Sequence, residues 1–570
     1  MTPITTDKPA PETSSELIAR LRTIVGRRHV LRGPAAQRHL IGYREGHGEA
    51  AAVVGPGSLV ELWRTFQACV AADHIVIVQA ANTGLTGGSA PFGSYDRPVV
   101  VLNTMRISGV HLIRDGRQAV CLAGSTLDRL ERELAPHGRE PHSVIGSSCL
   151  GASVIGGVCN NSGGALVSHG PAYTRLSLFA DVDRQGVARL HNHLGISLGG
   201  DPETMLTKLE RGDFTEADIH GDDVLASARD YPEVVRDCDA ATPARYNNDP
   251  TRLFESSGCA GKMLVFAVRL DTFPTAADPA TFYVGANQPA TLTSIRRRLL
   301  TECEVLPISA EYIHREAFDL AERYGKDVVL AIRRLGTHRL PRLFAAKAWI
   351  DRLTQRLGIA PAHLSDRMMQ FVARCLPGHL PSRLRSFRDR FEHHLLLKVP
   401  ESERLRVKTI LGQSLAGDGG MFECTPQEAE LAFLHRFAVA GAAVRYRAVH
   451  PDRVEDILAL DVALRRNDED WAEHLPHEIE AHLAGKIYYG HFLCHVFHRD
   501  YLLKKGSDVA GLKKLMLARL DECGAEYPAE HNVGHLYEAK TDLAAHYRAL
   551  DPSNRLNPGI GMTSRNKDWS

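Results

Sequence analysis

A glycine-rich loop that directly follows a buried strand is the feature that most constrains this chain. The β-branched run 75–78 predicts the strand, and a helix over 59–70 and an earlier strand over 51–54 precede it. The loop over 79–89 contains three glycines, Gly84, Gly87 and Gly88. Backbone N–H groups of such a loop can point inward and bind a diphosphate. The loop matches neither the Gly-x-Gly-x-x-Gly nor the Walker pattern, so the usual nicotinamide and nucleoside-triphosphate fingerprints are absent.

Three further segments are rich in small residues, at 146–153, 160–164 and 256–261. A single glycine-rich stretch is usually only a turn. Four of them in one chain indicate main chain that lies close to something thin and polar. The sequence therefore predicts a phosphate-bearing cofactor held by the first half of the chain.

Composition limits the class of protein. The 570 residues carry 68 basic and 68 acidic side chains and are 44% apolar, which is typical of a globular protein of about three or four domains. Eleven cysteines without a Cys-x-x-Cys pair favour a reducing compartment over a disulfide scaffold or zinc knuckle. No run approaches the roughly 18 apolar residues of a membrane span, and residues 1–7 lack the features of a signal peptide. We therefore expect a cytoplasmic protein, either soluble or bound to a membrane surface.

The glycine loop and its flanking elements resemble a known family. Residues 75–89 are similar to the FAD-binding domain of the vanillyl-alcohol-oxidase / p-cresol-methylhydroxylase (PCMH) type, and 556–559 to its C-terminal signature. Residues 138–149, 163–164 and 528–536 resemble, more closely, the bacterial quinone-dependent D-lactate dehydrogenases. The resemblance extends over nearly the whole chain.

The resemblance implies an α+β fold with three parts. These are a PCMH-type FAD-binding domain (1–271 with 520–570), a cap or substrate domain (272–312 with 391–428 and 452–519) and a helical, basic membrane-binding region (313–390 with 429–451). It also implies FAD contacts from Ala80, Ala81, Asn82, Thr83, Gly84, Gly88, Ser89, Gly146, Ser153, Gly163 and the backbone near Val265. Related proteins that bind FAD covalently often use a histidine of the loop. Residues 79–89 contain none, so we expect non-covalent FAD.

Histidines cluster in two segments, 488–498 and 530–535. On a helix His491, His495 and His498 would share one face, whereas on a strand His498 would oppose the other two. The spacing leaves this open, and packed structural histidines are an equal alternative. In related FAD-dependent 2-hydroxyacid dehydrogenases a His-x6-His pair and a Glu-His dipeptide line the flavin, some with a divalent metal. His491 and His498 match the pair, and Glu530 with His531 matches the dipeptide.

The residues between the two histidines depart from the pattern. The family's Gly-Asp-Gly-Asn is replaced here by residues 493–496, Leu-Cys-His-Val. Two imidazoles and a carboxylate suit Zn²⁺, Mn²⁺ or Fe²⁺, but they also work as acid and base groups without a metal. The sequence therefore leaves metal binding unknown.

The implied reaction assigns roles to these residues. Hydride leaves the 2-carbon of a hydroxyacid for FAD, and a neutral histidine near its ordinary pKa of about 6.5 suits the removal of the hydroxyl proton. His531 is our choice for this base, and Arg465 resembles the family's arginine that binds the substrate carboxylate. D-lactate would become pyruvate, with a membrane quinone as electron acceptor in respiration. Glycolate or 2-hydroxyglutarate as substrate is the alternative. The non-enzymatic alternative is a protein that binds a membrane surface or a nucleic acid.

A basic segment lies outside this chemistry. Residues 331–400 contain 14 basic and four acidic side chains, a net charge of +10 in a neutral chain. The sequence leaves three interpretations of this segment open: a solvated helical face, a patch that binds nucleic acid, or a patch that binds a membrane surface. Interleaved Trp, Phe and Leu favour the membrane, because apolar side chains enter the interface while arginine meets anionic head groups. We expect this segment to bind an anionic phospholipid surface and no nucleic acid. The resemblance places the protein on the cytoplasmic face of the cell's inner membrane.

Overall fold

The computed structural model describes residues 12–44, 46–142, 151–335 and 364–570. Gly146 and residues 336–363 of the predicted membrane-binding region lie outside these ranges. Three β-sheets organise the described chain, and helices pack on their faces.

The first sheet has four strands, β1 (Val30–Leu31), β2 (Ala52–Val54), β3 (Ile75–Gln79) and β4 (Val99–Asn103), in the order β1-β2-β4-β3. Strands β2 and β3 both run parallel to β4 and β1 is antiparallel to β2. Three helices accompany the sheet, α1 (Ser14–Val25), α2 (Gln37–Leu40) and α3 (Leu59–Ala71). Ser58 caps α3 by accepting a hydrogen bond from the N–H of Glu61 (3.1 Å), and the face with Leu62 and Phe66 is buried. The predicted strand, helix and strand before the glycine loop are thus confirmed.

The second sheet is antiparallel. Its strands are β5 (Val110–Ile113), β6 (Gln118–Leu122), β7 (Arg139–Pro141), β8 (Ser177–Val182), β9 (Ala188–Asn192) and β10 (Leu264–Pro274), in the order β5-β6-β10-β8-β9 with β7 paired to the end of β10. Its helices are α4 (Leu127–Leu134), α5 (Val154–Cys159), α6 (Pro202–Arg211) and α7 (Tyr231–Arg236). Strand β10 shifts register between Val265 and Ala267 where it pairs with β8.

The third sheet has seven antiparallel strands. They are β11 (Ala280–Ala286), β12 (Ser309–His314), β13 (His393–Val399), β14 (Gly419–Glu423), β15 (Val454–Ala463), β16 (Leu483–His491) and β17 (Val496–Lys504), in the order β14-β11-β13-β12-β16-β17-β15.

Helices cover both faces of the third sheet because successive side chains of a strand point to opposite sides. On β11, Phe282 and Val284 pack with α8 (Pro289–Glu302) and α13 (Arg404–Ser414), whereas Tyr283 between them packs with α9 (Arg315–Tyr324) and α14 (Pro426–Val449). Three more helices, α10 (Lys326–Leu335), α11 (Leu364–Cys375) and α12 (Ser382–Arg390), lie between β12 and β13 in the chain.

The C-terminal part of the chain connects the third sheet to the first. After α15 (His477–Glu480), α16 (Val509–Glu522) and α17 (Thr541–Leu550), the last residues run beside β3. Val76 donates a hydrogen bond to the carbonyl of Arg555 (3.0 Å), and Asn557 donates one to the carbonyl of Val76 (2.9 Å). The histidine-bearing strands are thereby held against the part of the fold that carries the glycine loop.

Candidate active site

A β-hairpin brings the two predicted histidines together. His491 ends β16, residues 492–494 form a single 3-10 turn, and His498 lies near the start of β17. The ring centroids of His491 and His498 are 5.4 Å apart. His495 adopts a left-handed backbone conformation at the turn, is buried, and donates to the carbonyl of Arg465 (2.9 Å). His491 and His498 therefore lie in one cluster, whereas His495 is packed and bonded to the main chain.

A buried aspartate on the neighbouring strand joins three groups of the site. Asp461 of β15 lies opposite His498 in the strand register, with its Oδ1 3.0 Å from His498 Nδ1. Its Oδ2 lies 2.9 Å from His531 Nδ1 and accepts a hydrogen bond from the N–H of Glu530 (2.6 Å). Asp461 was not predicted from the sequence. The available signal was a lone acid in the apolar run 457–463, where burial needs a partner.

A second set of buried charges holds His491 and Glu530. His491 Nδ1 donates to Glu311 Oε1 (2.6 Å), and His491 Nε2 lies 3.2 Å from Glu530 Oε2. Arg245 pairs with the other oxygen of Glu530, and Arg436 pairs with Glu311 (3.0 Å). Glu311, Arg245 and Arg436 were not predicted from the sequence, because no local motif marks them.

These contacts set the charge of each group. Burial lowers the pKa of His491, but the carboxylates of Glu311 and Glu530 outweigh it and raise that pKa to about 10. Burial raises the pKa of Glu530, but Arg245 and His491 bring it down to about 2. His491 is therefore an imidazolium and Glu530 a carboxylate at neutral pH.

His531 differs from His491 in its exposure, with 34% of its side chain accessible. Burial of the remainder lowers the pKa of His531, whereas the nearby Asp461 carboxylate raises it above the ordinary value, and the second effect is larger. The expectation that His531 has an ordinary pKa is therefore wrong, because this pKa is raised. Its Nδ1 faces Asp461, which leaves Nε2 to face a ligand.

His491, His498 and Glu530 also have the spacing of a metal site. One ligand atom from each lies within 4.8 Å of the others. The Nδ1 atoms of both histidines face carboxylates, Glu311 and Asp461, an arrangement that orients imidazoles toward a metal. The donor set fits a divalent ion such as Zn²⁺, and the same residues without an ion form the ion pairs described above.

The glycine loop and the small-residue segments beside it form a backbone cradle. Asn82 (φ +56°) and Gly87 (φ +71°) take left-handed backbone conformations, which turns the loop back on itself. Ser89 donates to the side-chain oxygen of Asn82 (2.9 Å). The Asn557 amide donates to the carbonyls of Gly88 (2.9 Å) and Ala260 (2.8 Å), so one side chain ties two small-residue segments together.

The other predicted cofactor residues border the same region. Ala80, Ala81 and Thr83 are half-buried, and a Cβ added at the exposed Gly84 would meet no atom within 4 Å. Ser153 caps α5 by accepting from the N–H of Gly156 (3.0 Å). Beyond that helix, the side-chain oxygens of Asn160 and Asn161 are buried without a hydrogen-bond partner in the described chain. Polar atoms left in this state suit a bound polar ligand.

Gly163 connects the cradle to the charged cluster. A Cβ at Gly163 would lie 2.6 Å from Glu530 Oε1 and 2.9 Å from Arg245 Nε. At Gly88, a Cβ would lie 2.6 Å from the Asn532 amide, next to His531. The small residues of the cradle therefore border the histidine cluster directly.

Arg465 does not join this cluster. Its guanidinium pairs with Asp468 (2.7 Å), packs near Gly524 and is 40% exposed. Within the described ranges it forms no hydrogen bond or ion pair with His491, His498, Glu530 or His531.

Comparisons with known proteins bear on the fold and the family of the chain. The model of the FAD-binding domain family matches residues 50–177, and the model described as D-lactate dehydrogenase, membrane binding, matches residues 281–569. The fold is similar to p-cresol methylhydroxylase (12% identity, TM-score 0.57, 96% of each chain covered). It is also similar to alkyldihydroxyacetonephosphate synthase (12% identity, TM-score 0.57, 98% of this chain and 87% of the other). The fold and the site thus define an FAD-dependent oxidoreductase of the PCMH type, which confirms the predicted α+β fold class.

Relatives over the full length identify the family. The quinone-dependent D-lactate dehydrogenases of Haemophilus influenzae and Escherichia coli K12 are each 54% identical to this chain. They cover 97% and 96% of it and 99% and 97% of their own lengths. That of Corynebacterium glutamicum is 47% identical over 98% of both chains. This chain belongs to the family of quinone-dependent D-lactate dehydrogenases.

Proposed function

We propose that the protein oxidises D-lactate to pyruvate on non-covalent FAD and passes the electrons to a membrane quinone. The observation that carries the proposal is His531, a partly exposed histidine that is paired with a buried aspartate beside the glycine cradle. The printed names of the full-length relatives supply D-lactate and quinone as the reactants.

Bound FAD would supply the hydride acceptor for C2 of the hydroxyacid. The chain itself manages the proton. His531 Nε2 takes the proton of the C2 hydroxyl as the C2–O bond becomes a carbonyl. Asp461 holds the imidazole by Nδ1 and stabilises the imidazolium that results. Gly163 allows the Glu530–Arg245 pair to pack directly on the main chain, because a Cβ there would lie 2.6 Å from Glu530 Oε1.

Neighbouring carboxylates hold the imidazole rings of His491 and His498 in fixed orientations. His491 is fixed between two carboxylates, and His498 is held by Asp461, so both rings have little freedom to rotate. A divalent ion would be held by His491, His498 and Glu530 and would supply a Lewis acid to the site. Glu311 and Asp461 orient the two histidines in either case.

The membrane contact is assigned to α11 and the segments around it. No helix in the described ranges is long and apolar enough to cross a membrane. On α11, however, Met368, Phe371 and Val372 are exposed by 58%, 69% and 53%, at the spacing of one helix face. Arg367 and Arg374 lie on the same helix. This combination suits a helix that lies in the interface of an anionic lipid surface, on the cytoplasmic side of the inner membrane.

Anaerobic titration of the purified holoprotein tests the reaction. The preparation should absorb near 450 nm, and D-lactate rather than L-lactate should bleach that absorbance. Bleaching by glycolate or 2-hydroxyglutarate in preference to D-lactate would assign a different substrate. A colourless protein that does not take up FAD would contradict the whole proposal.

Replacement of the base tests the residue roles. His531→Ala should retain FAD and slow bleaching by D-lactate about 10²-fold or more, the usual effect of a lost general base. His474→Ala, which removes a largely exposed histidine, is the matched control and should bleach normally. Near-normal bleaching by His531→Ala would remove His531 from the mechanism.

A further inference from the structure

A cavity of about 370 Å³ lies at the end of β10. Its wall is formed by residues 271–273, by residues 168–169 and 227–232, by Arg117 before β6 and by Arg139 of β7. None of these residues belongs to the histidine cluster or to the predicted FAD contacts. Asp271 lies six residues beyond Val265 on β10, which is about 20 Å along a strand. The volume is in the range of small-molecule sites, about 300–1,000 Å³.

The guanidinium of Arg139 is fixed at the wall of this cavity. Its Nε donates to Thr272 Oγ1 and its Nη2 donates to the carbonyl of Thr272, both at 2.6 Å. Thr272 Oγ1 in turn donates to the carbonyl of Gly116 (2.5 Å). The register of β7 and β10 places Arg139 opposite Pro274, so strand pairing also holds its backbone. Because Thr272 lines the cavity, the bonded guanidinium lies there too.

Arg117 is bonded to the same threonine through its backbone. Its carbonyl accepts a hydrogen bond from the N–H of Thr272 (2.9 Å), and its Nε donates to the carbonyl of Arg114 (3.0 Å). The side chain is exposed, so the cavity is open to solvent on this side. Within the ranges that the structure describes, neither Arg117 nor Arg139 forms an ion pair with a carboxylate. Two arginines around one threonine are therefore available to an anion.

The third arginine of the wall already has a carboxylate. Arg229 Nε lies 3.1 Å from Asp271 Oδ2. Asp271 also accepts hydrogen bonds from Ser227 Oγ (2.6 Å) and from Gln118 Nε2 (2.8 Å). The charge of Asp271 is therefore offset by Arg229 and leaves the other two arginines uncompensated.

The net charge of the wall indicates which anion fits. Three arginines and one aspartate line the cavity, and burial lowers the pKa of His169 to about 4, so this histidine is neutral at pH 7. The ring of His169 stacks on Phe273 and forms an uncharged side of the wall. The wall thus carries a net charge of +2. A phosphate group carries about −1.5 to −2 and three acceptor oxygens, whereas a monocarboxylate such as lactate offsets only one guanidinium.

We propose that this cavity binds the phosphate group of a small phosphorylated molecule, with Arg117 and Arg139 as its cationic partners. Planar guanidinium groups donate paired hydrogen bonds to phosphate oxygens. Ser168, Ala228 and Pro232 line the remaining space, which is available to the organic part of the ligand. This binding function does not depend on the proposed oxidation of D-lactate. A free phosphate ion offers the same chemistry, and the experiment separates the two.

The test uses the FAD-saturated holoprotein, in which the binding site for the diphosphate of the cofactor is already filled. Isothermal titration calorimetry measures the Kd of glycerol 3-phosphate, of inorganic phosphate and of succinate, a dicarboxylate without phosphate. Arg117→Met, Arg117→Lys and Arg139→Met are compared with Arg184→Met, which removes an exposed arginine between β8 and β9. Thermal unfolding of each variant checks that it is folded.

Glycerol 3-phosphate should bind the unmodified protein more tightly than inorganic phosphate, because its organic part fills the rest of the cavity. Arg117→Met and Arg139→Met should each weaken this binding about tenfold or more, the effect of losing charge-assisted hydrogen bonds. Arg184→Met should leave it unchanged. Arg117→Lys should recover part of the affinity, because the charge remains without the planar fork. If Arg139→Met does not fold, the two variants of the exposed Arg117 decide the result.

Four results would overturn the proposal. The first is that neither phosphate binds, and the second is an equal Kd for glycerol 3-phosphate in the unmodified protein and in Arg117→Met. The third is tighter binding of succinate or of inorganic phosphate than of glycerol 3-phosphate, which would assign the cavity to a dicarboxylate or to the free ion. The fourth is displacement of glycerol 3-phosphate by D-lactate, which would place the phosphate in the substrate site.

Discussion

At the scale of single residues, Asp461 determines what the histidines can do. One carboxylate faces two imidazoles and accepts the N–H of Glu530. Burial raises the pKa of Asp461, but the charges of His531 and His498 outweigh it and hold that pKa well below the usual range. In turn, Asp461 raises the pKa of His531, so the base is more protonated at neutral pH than a free histidine and works better as pH rises.

Asp461→Asn tests this coupling. The amide keeps the shape and still accepts the N–H of Glu530, but it no longer favours the imidazolium, so the pKa of His531 falls. Because the base works deprotonated, the acid limb of the bleaching rate by D-lactate should move to lower pH, and the maximal rate should fall at least about tenfold. Asp456→Asn on the same strand is the control. An acid limb at its original pH would show that Asp461 does not tune the base.

At the scale of elements, the basic helices divide into two kinds. On α12, Arg388 pairs with Asp319 of α9 and Arg383 pairs with Glu428 of α14 (3.3 Å), so these arginines hold helices together. Neutralising the α12 arginines as a group would therefore disturb packing as well as lipid contact. Helix α11 presents its exposed apolar face without such a structural role, and Gln370 and Ala373 form its buried face.

The triple change Met368→Ser, Phe371→Ser and Val372→Ser isolates the lipid contact. Removing this apolar area should weaken binding to anionic vesicles by at least about tenfold and leave D-lactate oxidation with a soluble dye unchanged. Co-sedimentation measures the binding. Leu405→Ser, which removes an apolar side chain that is 78% exposed on α13, is the control. Unchanged sedimentation of the triple variant would exclude α11 as the docking face.

At the scale of the whole molecule, buried histidines lie where the helical layer meets the third sheet. His394 of β13 and His435 of α14 pack on Phe318, and His379 Nε2 lies 3.1 Å from His435 Nδ1. Burial, together with the nearby His314, His393 and Arg315, lowers the pKa of His394 to about 3. Burial, Lys326 and Arg385 lower the pKa of His379 to about 4. The interface is therefore assembled with neutral histidines.

The free energy of unfolding should consequently depend on pH. Between pH 6.5 and about 4 the unfolded chain binds protons that the folded chain does not, so stability falls as the solution is acidified, by up to about 3 kcal/mol for each such histidine. Thermal unfolding at a series of pH values measures this slope. His394→Phe should reduce it, whereas His482→Ala, which removes an exposed histidine, should not. An equal slope in His394→Phe would show that the interface does not drive the acid sensitivity.

The sequence by itself determined the elements that depend on local pattern. The apolar periodicity of 59–70 and the β-branched run 75–78 predicted α3 and β3. The glycine loop and the His-x6-His and Glu-His motifs predicted an FAD site with histidines, because these signals lie within a few consecutive residues.

Only the tertiary structure decided which side chains complete the site. Asp461 lies 69 residues from Glu530 in the chain, and Glu311 lies 180 residues from His491. Pairing of β12 with β16 brings Glu311 to His491, whereas a loop that is bonded to the end of β15 at Ala463 brings Glu530 to Asp461. The histidine spacing was equally compatible with helix and strand until the β16–β17 hairpin placed His491 beside His498. Arg465 matched a local motif but is paired with Asp468. The physical reason is that local patterns report the conformation and burial of neighbouring residues, whereas the charge and reactivity of a group depend on long-range contacts.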